Sequence, residues 1–194
     1  MSKGILKKMG SIDKCREFIE NNLKKSRVNH TYGVCETAKA LARAYGEDET
    51  KAETAAMFHD ICKYLSVEES DRIVKSNSLS SELLNNTNLA HGHIAALMAE
   101  RDFGVKDKDI LNSIRYHTSA RAGMSLLEKI IFVADACEPG RTYREAEALR
   151  ERAFYDLEGV YEFILTWMME DLESKGITPG SDTEEAYKEI CDEQ

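Results

Sequence analysis

The sequence predicts an all-α chain, and three observations carry that expectation. Apolar residues recur at helical spacing, as in Val34, Ala38, Leu41, Ala42 and Tyr45. No sustained run alternates β-branched with polar residues in the way a half-buried strand would. The only two prolines, Pro139 and Pro179, fall in apparent connections, so neither interrupts a helical stretch.

Taken in order, the elements are as follows. A helix is expected through about residue 45, with His30 at its start and Gly46 as its left-handed cap. A second is expected from about 49 to 65, with His59 and Asp60 in its C-terminal part. Ser66 and Glu69 have the spacing of a capping box, in which hydroxyl and carboxylate satisfy free amides at a helix start. Ser125 with Glu128 and Thr142 with Glu145 have the same spacing, and each is expected to open a helix. His91 begins or immediately precedes a helix ending near 103, and His117 closes one over 107–117. Asp135 lies late on the helix that starts at Ser125. The period runs on through Leu149, Ala153, Leu157, Val160, Tyr161, Ile164 and Trp167-Met168, and Gly176 follows it. Roughly eight or nine helices in one compact unit are expected.

Bulk composition narrows the classes. With 194 residues the chain is most simply one domain, 1–194, able to bury about 70% of its unfolded surface. A hydrophobic content of 42% with 31% charged residues is ordinary for a globular protein. The basic start Met1 to Lys8 has no apolar segment behind it, and the apolar runs are too short for a bilayer. A cytoplasmic protein without a membrane partner is therefore expected. Five cysteines at no C-x-x-C spacing argue against a disulfide framework and a zinc ribbon, and Cys62 and Cys137 are expected to be small buried thiols. A net charge of −9 without a long basic stripe argues against nucleic-acid polymers, though not against a small phosphorylated substrate.

Chemistry concentrates in one pattern: His30, His59-Asp60, His91, His117 and Asp135. Imidazole nitrogens and carboxylate oxygens on successive helices can converge on a metal pair, and an aspartate can bridge two cations. His59 and Asp60 sit in an apolar run, where burying both unpaired would be costly. Asp135 follows five apolar residues, Ile130 to Ala134, so it is salt-bridged, capping or metal-bound. Taken singly, each remaining histidine is most simply a hydrogen-bonded side chain; together the set points to ligands. His93 is expected to be structural or to support the site from behind. A mixed nitrogen and oxygen set suits iron, manganese, nickel or zinc. Lys63, one turn after His59, and Arg141, after Glu138-Pro139-Gly140, are the best phosphate-binding cations among a group that includes Arg27, Arg115, Arg121 and Arg144.

These motifs resemble the HD-domain phosphohydrolase superfamily. Arg27-x-x-His30, His59-Asp60-x-x-Lys63, Ala90-His91-Gly92, His117-Thr118, Met124-Ser125, Ala134-Asp135 and Glu138-Pro139-Gly140-Arg141 are similar to its YqeK-like branch, the symmetrical diadenosine tetraphosphate hydrolases. The resemblance implies a single HD-domain helical bundle, one or two iron ions, and cleavage of diadenosine tetraphosphate to two ADP by a metal-activated water. It implies metal ligation by His30, His59, Asp60, Asp135, His91 and His117, and catalysis by His59, Asp60, Lys63, His91 and His117. It also implies nucleotide contacts from His30, Lys63, His91, His117, Thr118 and Arg141, and from Thr178, Asp182 and Thr183 in a C-terminal segment that closes over the nucleotide. Ser119-Ala120 stands where the branch has a threonine and a glycine. The partners implied are a dinucleoside polyphosphate and its ADP product, with a homodimer compatible. Two alternatives remain: another nucleotide phosphohydrolase of the superfamily, such as a nucleotidase or deoxynucleotide triphosphohydrolase, and a non-catalytic nucleotide-binding sensor.

Overall fold

A computed structural model describes residues 10–192, and within them ten α-helices follow one another without a strand. They are α1 (Ser11–Asn22), α2 (Lys25–Tyr45), α3 (Glu49–Phe58), α4 (Val67–Ser76), α5 (Thr87–Arg101), α6 (Lys108–Tyr116), α7 (Leu126–Cys137), α8 (Ala146–Arg152), α9 (Leu157–Ser174) and α10 (Ser181–Asp192). A short 3-10 turn, Ser81–Leu83, links α4 to α5. The basic start, Met1 to Lys8, lies outside the described residues. No described helix is long and apolar enough to cross a membrane.

The central element is α7. Leu127, Ile130, Ile131, Val133 and Ala134 along it are fully buried, and it packs against α2, α3, α6, α8 and α9. Each such Leu or Ile contributes on the order of 1.5–3 kcal/mol through the apolar area it withdraws from water. The most extensive helix pairing is α2 on α3, where Ala38, Ala42, Ala52 and Ala55 are all fully buried small residues. One contiguous cluster of buried side chains draws on every helix, from Cys15 and Ile19 on α1 to Ala186 and Ile190 on α10. The thiols of Cys62 and Cys137 are buried in it, as expected.

Helix starts follow the capping chemistry at two of three expected places. Ser66 and Ser125 each form the reciprocal box with Glu69 and Glu128. Thr142 does not: α8 begins at Ala146, and Glu145 before it makes no side-chain cap. The intervening segment is folded back on the end of α7 instead. Arg141 bonds Asp135, the Tyr143 hydroxyl donates to the Ala136 carbonyl at 2.8 Å, and Arg150 donates to the carbonyls of Cys137 and Glu138. The helix count exceeds the expected eight or nine because the period from Leu149 to Met168 is broken. Asp156 caps α9 by accepting from the Gly159 amide and is paired with Arg152, which splits α8 from α9. Gly46 takes the left-handed angle expected of it (φ 75) and ends α2.

Candidate metal centre

The helix expected over 49–65 stops at Phe58, and the departure places the central residues. His59 donates from Nδ1 to the Ala56 carbonyl at 2.6 Å, an acceptor the next helical amide would otherwise use. The chain then tightens into three-residue turns, with Ile61 N to Phe58 O, Lys63 N to Asp60 O and Leu65 N to Cys62 O at 2.9–3.2 Å. His59, Asp60 and Lys63 therefore leave the helix end on a turn rather than along a helix face. His30 is in the second turn of α2, His91 in the second turn of α5, His117 caps the C-terminus of α6, and Asp135 lies in the last turn of α7.

The carboxylate of Asp60, 3% exposed, is the hub. Its Oδ2 lies 3.7 Å from His30 Nε2 and 3.5 Å from His59 Nε2. Its Oδ1 lies 3.2 Å from His91 Nε2 and 3.7 Å from His117 Nε2. Asp135 Oδ1 approaches His30 Nε2 to 3.0 Å. Three overlapping trios, His30-His59-Asp60, His59-His117-Asp135 and Asp60-His91-His117, each bring one ligand atom per residue within 4.8 Å of the others. All six residues expected to ligate metal are thus brought together.

A second layer fixes the rings. Nδ1 of His59, His91 and His117 faces the carbonyls of Ala56, Thr87 and Ile114 at 2.6, 3.2 and 2.7 Å, and His30 Nδ1 faces Glu138 Oε1 at 3.1 Å. With each Nδ1 hydrogen directed outward, the neutral form of every ring would present its Nε2 lone pair to a cation bound inside the cluster. His91 Nε2 and His117 Nε2 then stand 3.0 Å apart, and His30 Nε2 and His59 Nε2 3.3 Å apart. Converging nitrogen lone pairs around a shared carboxylate fit a divalent cation, which relieves their mutual repulsion. Glu138, 5% exposed, owes its place to glycines: a Cβ at Gly33 would meet its Oε2 at 2.5 Å, and one at Gly140 its Oε1 at 2.8 Å.

Electrostatics divide the site. Burial would raise the Asp60 carboxyl, but the His59 charge and hydrogen bonds from His117, His59 and His91 hold it well below the ordinary carboxylate range. Asp135 behaves alike: burial opposes, while the His30 hydrogen bond and the His59, His117 and Arg141 charges prevail and lower it. For His30, burial lowers but Asp135 and Glu138 outweigh it, so its pKa is raised. His91 goes the other way, to about 4, chiefly through burial, with the His117 and Lys63 charges adding to it. Burial also lowers Lys63, helped by Arg27 and Arg141.

The expected phosphate contacts fall in two sets. Lys63 Nζ and Thr118 Oγ1 lie 3.4 and 3.3 Å from His91 Nε2, and Arg141 holds Asp135 Oδ1 at 2.7 Å. His117, Thr118, Asp135 and Arg141 border a cavity of about 470 Å³, and His30 and Arg141 border another of about 660 Å³. The C-terminal residues are elsewhere. Thr178 lines a groove with Glu184 and Tyr187, Thr183 is buried, and Ser181 bonds Glu82. Burial and the charges of Glu185 and Glu82 raise Asp182 against the pull of Arg121 and Arg115. His93 stays outside the cluster, edge-on to Tyr116, with its Nε2 buried and unpartnered. Sequence reasoning gave two residues too little weight. Arg27 grips Asp60 Oδ2 at 2.5 Å, and its signal was a cation one turn before His30. Glu138 orients His30, and its signal was an acid packed between apolar Cys137 and a Pro-Gly turn.

Residues 27–140 match the family described as HD domain. The chain is 44% identical over 140 residues to a symmetrical bis(5'-nucleosyl)-tetraphosphatase of Bacillus subtilis, covering 72% of this chain and 75% of that one. A protein of the same name from Halalkalibacterium halodurans is 36% identical over 182 residues, 93% of this chain and 97% of the relative. A crystal structure of a predicted HD superfamily hydrolase involved in NAD metabolism from Clostridium acetobutylicum superposes with a TM-score of 0.90 at 36% identity, covering 96% of this chain and all of that one.

Proposed function

The chain belongs to the HD domain family, and from that premise we propose that it is a metal-dependent hydrolase that splits diadenosine tetraphosphate symmetrically into two ADP. The observation that carries this is the disposition of Asp60. Its two oxygens serve two separate histidine pairs, with Arg27, Lys63 and Arg141 at their margins. The relatives named above add the substrate: their shared name is that of a symmetrical dinucleoside tetraphosphatase.

His30, His59, Asp60 and Asp135 would hold one divalent ion, and His91 and His117, sharing Asp60, would hold or assist a second. Iron is the metal proposed, with manganese, nickel or zinc as substitutes that the same donors accept. Once bound, such a metal makes water a nucleophile near neutral pH and offsets the charge of phosphoryl oxygens. The chain's own residues do the rest. Arg27 and the Nδ1 partners hold Asp60 and the imidazoles in place, so little reorganisation is needed at the moment of reaction. Lys63, Arg141 and Thr118 bind phosphate oxygens as negative charge builds. His91, whose pKa of about 4 keeps it neutral, remains a lone-pair donor throughout the neutral range. Water adds to one central phosphorus, the bridging oxygen leaves with the other half, and each half is ADP. A diphosphate leaves as a stable anion, so a strong general acid is not required. The segment bearing Thr178, Asp182 and Thr183 closes over one of the two nucleosides in this proposal, and residues 1–194 act as one unit in the cytoplasm.

The test is product analysis with iron-loaded protein under anaerobic conditions. Two ADP per diadenosine tetraphosphate are expected. AMP with ATP, or free nucleoside, would overturn the substrate assignment. Tight ADP binding without turnover would indicate a sensor.

A further inference from the structure

A substrate with two identical nucleosides needs two places to put a base, and one wall of the 470 Å³ cavity is built for a flat ring. Besides Asp135 and Arg141, the cavity is lined by Phe132, Tyr143, Ile164, Trp167 and Met168. Tyr143 and Trp167 lie with centroids 5.4 Å apart and planes 31° from parallel. That separation leaves no room for a third ring between them, but Trp167 is 47% exposed, so its side chain is open to a ligand. Tyr143 is pinned by its hydroxyl bond to the Ala136 carbonyl, so the pair is a preset platform. Asp171 and Lys175, joined in a 2.6 Å ion pair, line the same cavity and bring an acceptor and a donor to it. A second cavity lined by a cluster histidine, at Arg27 and His30, has no Phe, Tyr or Trp in its lining. None of residues 177–183 lines the aromatic cavity.

We propose that the exposed side of Trp167, backed by Tyr143, is the subsite for the purine base of one half of the dinucleotide, with its phosphates running past Arg141 and Thr118 to the cluster. The inference rests on the hydrolase reading and adds the position of one nucleoside. Three features favour a nucleotide base as the occupant. The volume lies in the range of small-molecule pockets, the wall is apolar and aromatic, and phosphate-binding groups line the same cavity. A stacked base is sequence-tolerant, so this platform sets affinity more than choice of purine.

Trp167 is the only tryptophan in the chain, which makes the subsite directly observable. Titration of the protein with ADP should quench its indole fluorescence, whereas pyrophosphate, which binds metal and cations but lacks a base, should not. Trp167→Ala should raise KM for diadenosine tetraphosphate roughly 5- to 30-fold with kcat changed less than about 2-fold, because stacking is lost equally from ground and transition states. Trp167→Phe should recover most of the loss, and adenosine 5'-tetraphosphate, with a single base, should suffer less from the alanine variant. Unchanged fluorescence at saturating ADP, or an unchanged KM in Trp167→Ala, would overturn the subsite even while the wild type yields two ADP. Failure of the hydrolase reading would appear separately, as wrong products from the wild type.

Discussion

The two halves of the histidine cluster share Asp60 but sit in opposite surroundings. Around Asp60 Oδ2, the pair His30 and His59 meets two further carboxylates: Asp135 Oδ1 is 3.0 Å from His30 Nε2, and Glu138 Oε1 is 3.1 Å from its Nδ1. Around Oδ1, the pair His91 and His117 meets no further carboxylate within salt-bridge reach among the described residues, although His117 shares a trio with Asp135, and Lys63 Nζ stands 3.4 Å from His91 Nε2. The first half gathers negative charge, and His30 has its pKa raised by those neighbours. The second places an ammonium beside a deeply buried imidazole whose pKa falls to about 4. On this charge distribution the first half would hold a cation more strongly, while the second would accept an anionic phosphoryl group as readily as a metal.

The most severe test removes what the halves share. Asp60→Ala should abolish bound transition metal and lower turnover by about 10³-fold or more, read by elemental analysis and steady-state assay. Retained metal would mean that the halves do not depend on one bridge. Next, His30→Ala and His91→Ala should separate the halves. The former should lose the tightly held ion and with it about 10²-fold or more in activity, while the latter should keep that ion and lose mainly kcat. Equal metal loss in both would erase the distinction. A smaller effect is expected for Glu138→Gln, which keeps the shape but removes the charge behind His30: metal affinity should fall about 10- to 100-fold, measured by competition with a chelator.

The mildest change for turnover lies behind the second half. His93, lowered to about 4 mainly by burial and then by the charges of Arg115, His91 and His117, stays neutral in the folded chain, whereas it protonates near 6.5 when unfolded. Its folded pKa is the lower, so it costs nothing above pH 6.5, and it destabilises the fold as pH falls from 6.5 toward 4, by at most about 3 kcal/mol. His93→Leu should flatten that part of the pH profile in urea unfolding and leave the neutral-pH rate within about 2-fold. An unchanged profile would place the acid sensitivity elsewhere.

The sequence was most informative where one residue type had one plausible physical use. Buried histidines and aspartates in apolar runs told of a cluster, and helical periodicity told of the elements bearing it. It was least informative where a side chain competed with backbone. The helical period of Ala55-Ala56-Met57-Phe58 runs into His59 without a break, yet the imidazole takes the Ala56 carbonyl and ends the helix. Thr142 and Glu145 have capping spacing, but Arg141, Tyr143 and Arg150 had already tied that segment to α7. Arg27 and Glu138 lie 33 and 108 residues from the groups they hold, a separation no local pattern encodes. The aromatic cavity wall joins Phe132 and Tyr143 to a face of α9 that, in sequence, reads only as helical period.

Ala120 takes a left-handed angle (φ 57), and its amide closes the end of α6 on the Tyr116 carbonyl at 2.9 Å. Glycine occupies such a position without penalty; an alanine there stores about 1–2 kcal/mol. The stored tension sits two residues past Thr118, whose hydroxyl faces His91. A methyl group also leaves the loop fewer shapes to relax into than glycine would. The corner therefore behaves as a stiff clip: it gives up some thermodynamic ease to keep one hydroxyl aimed at a fixed point.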